Sequence, residues 1–131
     1  MEQGFDRRIF TLETFIKDTG FLLSHMSKMG RMMRSKKISR AFLEKIMTVV
    51  TAVNGCKYCS WFHAKQAVES GMSTEEVQNL LNLEFETDAA EYELLALLYA
   101  QHYAETNRHP EPDMTERLFS YYGEQTANDI V

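Results

Sequence analysis

The spacing of apolar residues predicts α-helices along most of this chain. Over residues 8–29 the apolar side chains recur with gaps of three to five, and over Arg40–Val53 they cover one broad face of a helix. Gly30 is the predicted end of the first helix, and Ser39 is the predicted N-cap of the second. No segment of useful length alternates between apolar and polar residues as a strand does. The pattern therefore predicts an all-α protein.

Four further helices are predicted after Val53, which makes about six in all. They span about 56–70, 74–83, 87–107 and 113–122. Ser73 and Glu76 have the spacing of a capping box at the start of the second of these. Pro110 and Pro112 mark the loop before the last helix. This organisation is that of a helical bundle.

Length and composition favour one ordinary globular domain spanning residues 1–131. A chain of 131 residues can bury one real core but not two. Its 44% apolar and 25% charged residues are typical of soluble proteins. No apolar run has the length of a membrane helix, and the first residues do not have the pattern of a signal peptide. We expect a cytoplasmic protein with no membrane partner.

Charge is divided unevenly along the chain. Residues 1–68 carry twelve Lys or Arg and five Asp or Glu, a net charge of +7, whereas residues 69–131 carry two and fourteen, a net charge of −12. The basic residues are densest over 28–40, but no nucleic-acid-binding motif or aromatic platform accompanies them. We expect a solvated face or an intersubunit contact there, and no nucleic-acid partner.

The most informative stretch holds the only two cysteines, Cys56 and Cys59, followed four residues later by His63. On a helix this spacing places both thiols and the imidazole on one face. Asn54-Gly55 reads as the break before that helix, so Cys56 would lie in the first turn, where backbone N–H groups favour a thiolate. His63 is a possible proton acceptor for Cys59. The arrangement suits a dithiol that cycles through a disulfide.

Other interpretations of the two cysteines remain open. They could be buried apolar filler, although this spacing with a histidine in line is unusual for filler. A structural zinc site would need a fourth ligand in addition to the three local residues. Covalent haem attachment is excluded, because Ser60 stands where the histidine would have to follow the second cysteine.

A separate prediction concerns Glu44, which periodicity places about 60° outside the apolar face of its helix and therefore in solvent.

Glu44 nevertheless belongs to a longer motif. Glu44, twelve residues before Cys56, together with Cys56-x-x-Cys59-x-x-x-His63, resembles the signature of the alkylhydroperoxidase D-like proteins within the carboxymuconolactone decarboxylase superfamily. The similarity extends to Ser73. Tyr58 stands between the cysteines, where some peroxidases of this family carry a histidine. The combined motif is much more specific than the two cysteines alone.

The resemblance implies a single alkylhydroperoxidase D-like domain with thiol-disulfide oxidoreductase and peroxidase activity. Cys59 would attack a peroxide or disulfide substrate, and Cys56 would then form the intramolecular Cys56–Cys59 bond. His63 would take the proton from Cys59. Glu44, covered by a later helix or a partner subunit, would orient His63 or relay its proton.

The resemblance also implies the partners. The chemistry needs no cofactor and no metal, because electrons enter from an external dithiol or redox protein, and no glycine-rich nucleotide motif is present. A homo-oligomer, a trimer or hexamer, is expected, and the opposite charges of the two halves would favour head-to-tail contacts.

Two alternative functions remain open. They are a lactone decarboxylase of the same superfamily and a metal-binding structural or sensor protein that uses Glu44, Cys56, Cys59 and His63.

Overall fold

A computed structural model describes residues 11–34, 36–87 and 89–131, and within these ranges the chain is all-α. The structure has six helices there and no strand, as the sequence predicted. The helices are α1 (Leu12–Met33), α2 (Arg40–Asn54), α3 (Lys57–Glu69), α4 (Thr74–Asn82), α5 (Glu91–Glu105) and α6 (Pro112–Ile130). None of these described helices combines the length and apolar character needed to cross a bilayer.

Helix α1 belongs to a compact unit of its own. It begins after the N-cap Thr11, whose hydroxyl accepts the Thr14 N–H while the Thr14 hydroxyl accepts the Thr11 N–H. The prediction that it ends at Gly30 was wrong, because it continues to Met33. One glycine costs a helix only about 1 kcal/mol, and good helix formers follow it. Residues 8–10 of the predicted helix lie outside the described residues.

Helices α2 to α6 form the second unit, with α2 at its centre. Helix α2 packs against α3, α4 and α5, and α6 packs against α5. Side chains from all of these helices and from the loop before α5 meet in one core. Its most deeply buried large residues are Phe42, Val49, Leu80, Phe85, Leu97 and Leu118. Each contributes about 1.5–3 kcal/mol by leaving water, so α2 is fixed on several sides at once.

The N-caps of α2 and α4 are the serines that the sequence predicted. Ser39 caps α2 by accepting the Phe42 N–H at 3.0 Å, and Ser73 caps α4 by accepting the Glu76 N–H at 3.1 Å. The Glu76 carboxylate pairs with Lys45 at 2.7 Å. Helix α4 therefore has one side-chain cap, Ser73, in place of the predicted capping box, because a cation on α2 holds the glutamate.

The last two helices differ from the prediction at their ends. Helix α5 begins at Glu91, after an N-cap alanine that makes no side-chain hydrogen bond, and not at Thr87; the part of that prediction that concerns Asp88 lies outside the described residues. Helix α6 runs past the predicted end at Tyr122. Gly123, at φ 77° and ψ 163°, kinks it there, and helical structure resumes to Ile130. Glycine permits this conformation, which other residues rarely adopt.

Candidate active site

A two-residue connection between α2 and α3 positions the candidate site. Helix α2 ends at Asn54, and Gly55 follows in the left-handed conformation at φ 65°, with its N–H donating to the Ala52 carbonyl at 3.2 Å. Cys56 is then already the N-cap of α3. The two helices pack side by side as a hairpin. Residues far apart in sequence therefore face each other across it.

Cys56 and Cys59 are joined by a disulfide, with the sulfur atoms 2.14 Å apart and the Cα atoms 5.3 Å apart. The Cys59 N–H also donates to the Cys56 sulfur at 3.3 Å. Cys56 thus lies one position before the first turn in which the sequence placed it. The N-terminal N–H groups of α3 and the positive end of its dipole favour negative charge at this point. A helix N-terminus is one of the environments in which proteins favour cysteine thiolates.

Glu44 and His63 face each other across the hairpin. The Glu44 Oε2 atom lies 2.8 Å from the His63 Nδ1 atom, and the two side chains are only 12% and 17% exposed. The prediction from periodicity that Glu44 is in solvent was wrong, because α3 covers that side of α2 and supplies the partner. This agrees with the covering by a later helix that the family resemblance implied.

The Glu44 contact determines which nitrogen of His63 can act as a base. An ionised carboxylate only accepts hydrogen bonds, so the Nδ1 atom is the donor and a neutral ring carries its lone pair on Nε2. A carboxylate that fixes the tautomer and orientation of a histidine in this way is a frequent arrangement in active sites. The Phe62 ring and the imidazole pack edge to face, with centroids 5.3 Å apart. His63 is therefore held on two sides.

His63 is nearer along the helix to Cys59 than to Cys56. Four residues separate it from Cys59, a rise of about 6 Å, and seven from Cys56, a rise of about 10 Å. Residues spaced i, i+4 lie on one face with Cβ atoms about 5–6 Å apart. Cys59 and His63 are therefore one helical turn apart on the same face of α3.

Exposed aromatic residues surround the cysteines on α3. Tyr58 and Trp61 are 73% and 59% exposed, and their rings are 6.1 Å apart at a tilt. The Lys65 ammonium lies over the Trp61 ring at 5.8 Å, within cation–π range. Phe62 is 43% exposed. These rings form an amphipathic surface next to the disulfide, and they are not part of the core.

Sequence reasoning did not find a charged cluster directly beside the site. Lys45, next to Glu44, binds Glu76 on α4 at 2.7 Å and Glu93 on α5 at 2.6 Å. Burial alone lowers the pKa of Lys45, but its bonds to the two carboxylates outweigh burial and raise that pKa above the ordinary value of 10.5. The partners are distant in sequence, so no local pattern indicated them. The cluster fixes the orientation of α2 and therefore of Glu44.

The remaining histidines have local structural contacts. His25 stacks on Phe21 within α1, with ring centroids 4.1 Å apart. His102 accepts the Glu111 N–H through Nε2 at 3.2 Å and so connects α5 to the start of α6. Across the three described stretches of chain, no group of three or more His, Cys, Asp or Glu residues is placed to hold a metal ion.

The all-α fold and the paired Glu44–His63 beside a Cys-x-x-Cys disulfide define a helical dithiol protein. The model of the carboxymuconolactone decarboxylase family matches residues 23–102, more than half of the chain, and this range includes all four candidate residues. The chain belongs to the carboxymuconolactone decarboxylase family, as the resemblance indicated. No curated protein and no solved structure matches it.

Proposed function

We propose that this protein is a thiol-disulfide oxidoreductase that reduces peroxides through Cys59 and Cys56. The observation that carries the proposal is the α2–α3 hairpin, which joins the two cysteines in a disulfide and binds His63 to the buried Glu44. The position of His63 one turn from Cys59 supports Cys59 as the attacking sulfur. The position of Cys56 at the N-cap, where a thiolate is favoured, suits the sulfur that attacks second.

In the oxidising half of the reaction, Cys59 reduces the peroxide. His63 takes the thiol proton on Nε2, and the Cys59 thiolate attacks one peroxide oxygen. A sulfur–oxygen bond forms, the oxygen–oxygen bond breaks, and the leaving alkoxide or hydroxide takes the proton back to become an alcohol or water. Cys59 is left as a sulfenic acid. Cys56 then attacks the Cys59 sulfur, the Cys56–Cys59 bond forms, and water leaves.

In the reducing half, an external dithiol returns two electrons. One thiolate of the reductant attacks the Cys56–Cys59 bond to give a mixed disulfide, and its second thiol resolves this bond. The cysteines leave as two thiols, and the reductant leaves as a disulfide. The exposed rings of Tyr58, Trp61 and Phe62 offer a contact surface for that reductant beside the sulfur atoms. No other electron carrier is required.

Single-cysteine variants test which sulfur attacks. With Cys56→Ser, peroxide should convert Cys59 to a sulfenic acid that a dimedone probe labels in stoichiometric amount, because no second thiol removes it. With Cys59→Ser, Cys56 should react with peroxide at least about 100-fold more slowly, since it lacks the neighbouring base. Dimedone labelling of Cys56 in Cys59→Ser, with no labelling of Cys59 in Cys56→Ser, would overturn the assignment of the attacking sulfur.

Histidine variants test the base. His63→Asn should slow the reaction of Cys59 with peroxide by about 100-fold or more at neutral pH. His102→Asn is the matched control, because His102 is also a partly buried helical histidine but contacts α6. The control should react at the wild-type rate. Equal rates for the two variants would remove His63 from the mechanism.

A second candidate function is the decarboxylation of a lactone, which the family description itself favours. The buried Glu44–His63 pair would serve as its acid-base group. Such an enzyme does not need a redox pair, so Cys59→Ser would still release carbon dioxide from a carboxylated lactone. Release by wild type and by Cys59→Ser, with no reaction toward peroxide, would favour this function over the first.

A further inference from the structure

Helix α1 carries an apolar stripe, which is exposed among the described residues. None of its residues is buried, although the helix is strongly amphipathic over 22 residues. Nine large apolar side chains on it are between 51% and 76% exposed. Phe21 is one of them, and the other eight are Leu12, Phe15, Ile16, Leu22, Leu23, Met26, Met29 and Met33. A contiguous patch of this kind usually marks an interaction surface.

The spacing of the stripe is that of a coiled coil. Seven residues follow one another at alternating steps of three and four, the a and d positions of three successive heptads and the a position of a fourth. We call them the α1 seam: Leu12, Phe15, Thr19, Leu22, Met26, Met29 and Met33. Ile16 and Leu23, each beside a d position, widen the seam. A seam of this period fits the matching seam of another helix.

Charge along α1 indicates the direction in which that other helix runs. Glu13, Asp18 and one lysine, Lys17, lie in its first half, a net charge of −1, and Lys17 pairs with Glu13 within the helix. Lys28, Arg31 and Arg34 lie in its second half and at its end, a net charge of +3. An antiparallel copy of α1 places the acidic half of each helix beside the basic half of the other, and also opposes the helix dipoles. The surface is thus complementary to itself, as a two-fold interface requires.

We propose that α1 is a dimerisation arm that pairs antiparallel with α1 of a second copy of this chain. The helix is about 33 Å long. A stable interface takes roughly 800 Å² from each partner, and α1 offers nine exposed large apolar side chains for it. This isologous contact differs from the head-to-tail contact that the charges of the two halves favour. It does not rest on the proposed function, so Cys59→Ser should assemble as the wild type does.

Neighbouring residues provide a matched pair of variants. Leu22 is in the seam and Phe21 is outside it, and they are 56% and 66% exposed. In sedimentation velocity of the full chain at about 1–100 μM, Leu22→Lys should need at least about tenfold higher concentration to assemble. Phe21→Lys adds the same charge and should assemble like the wild type. A monomeric wild type, or equal assembly by both variants, would overturn the proposal.

Charge reversal tests the antiparallel direction. Replacing Glu13 and Asp18 by Lys, or Lys28 and Arg31 by Glu, should each weaken dimerisation by about two- to tenfold. The combination of all four should restore it, because the halves again carry opposite charges. Weaker assembly of the combined variant than of either parent would overturn the antiparallel arrangement.

A membrane surface is the competing occupant. Monomeric wild type that binds vesicles of anionic lipid, with binding lost in Leu22→Lys, would overturn the dimer in favour of that surface. No vesicle binding, with assembly in solution, supports the dimer.

Discussion

At the scale of single residues, Glu44 is the position whose burial depends most on a specific partner. A carboxylate as poorly exposed as that of Glu44, whose side chain is 12% exposed, is costly to bury unless it is paired and hydrogen-bonded, and His63 supplies that partner at 2.8 Å. In a neutral His63 ring, the same contact leaves the lone pair on Nε2, the atom that the proposed mechanism uses as its base. Stability and the proposed chemistry therefore depend on one interaction.

Glu44→Gln separates these two roles. The amide can still accept from the His63 Nδ1–H group, so the free energy of unfolding should fall by only about 1 kcal/mol. An amide also donates, so it no longer fixes the tautomer, and the reaction of Cys59 with peroxide should slow by about 10- to 100-fold. Denaturant unfolding and stopped-flow kinetics measure the two effects.

Glu93→Gln is the control for this variant, since Glu93 is also a poorly exposed carboxylate but binds Lys45. It should lose stability and keep the wild-type rate. If the two variants lost reactivity equally, Glu44 would have no specific role in the chemistry.

Tyr122 predicts how stability changes at alkaline pH. Burial raises its pKa from 10.0 to about 12, and its hydroxyl donates to the Tyr92 carbonyl. A group whose pKa is raised by folding contributes stability that is complete below the unfolded value and is lost as pH rises through the folded value. The wild type should therefore lose stability between about pH 10 and 12.

Tyr122→Phe should lose less stability than the wild type as the pH is raised into the alkaline range. Near neutral pH its free energy of unfolding should be about 1 kcal/mol lower, because the hydrogen bond is missing. Tyr121→Phe is the control, because Tyr121 is its immediate neighbour and is 50% exposed. Urea unfolding between pH 8 and 12 compares the variants. An unchanged alkaline slope in Tyr122→Phe would contradict this role.

At the scale of elements, the turn between α2 and α3 depends on Gly55. A Cβ atom added there would meet nothing within 4 Å, so a substitution costs only the strain of φ 65°. Gly55→Ala should destabilise the protein by about 1 kcal/mol, and Gly55→Asn by less, because asparagine tolerates this conformation better. Thermal unfolding of the oxidised protein measures both. A cost above about 3 kcal/mol would mean that the turn has contacts beyond its backbone conformation.

Three helices meet at Lys45, so its replacement should affect α2, α4 and α5 together. Lys45→Met leaves the carboxylates of Glu76 and Glu93 facing each other without their cation. We expect a loss of about 2 kcal/mol, below the value for a fully buried pair because Glu76 is 34% exposed. Lys17→Met breaks an exposed pair with Glu13 and should cost less than about 0.5 kcal/mol. Equal losses of unfolding free energy in Lys45→Met and Lys17→Met would show that the Lys45 cluster stabilises the fold no more than an exposed ion pair does.

Local patterns predicted the elements of this fold, and long-range contacts explain the errors at Glu44 and Glu76. The apolar period gave the helices, and the N-caps Ser39 and Ser73 were correct because capping depends on residues three apart. The burial of Glu44 did not follow from its own helix, since α3 provides the cover. Glu76 was assigned to a capping box because Lys45 is far away in sequence. For the site, spacing placed Cys56, Cys59 and His63 on one face, but only the motif connected Glu44 to them.

At the scale of the whole molecule, two features predict that the chain works as an assembly. The first 68 residues carry a net charge of +7 and the remainder −12, and α1 offers an exposed seam of heptad spacing. The first feature favours contact between the basic half of one copy and the acidic half of another, and the second favours contact between the α1 seams of two copies. The first feature predicts that assembly through charged contacts weakens as salt is added, because salt screens exposed charges, and sedimentation velocity at low and high salt measures this.

The central claim is that Cys56 and Cys59 exchange electrons with a peroxide by forming and breaking their mutual bond. Its most direct test is the intact mass and thiol count of the reduced full chain before and after one equivalent of hydrogen peroxide, and again after a dithiol is added. We predict the loss of both thiols and of two hydrogen atoms, reversed by the dithiol, with peptide mapping placing the bond between Cys56 and Cys59. Two thiols that survive the peroxide, or a product that keeps added oxygen and does not form this bond, would contradict the account.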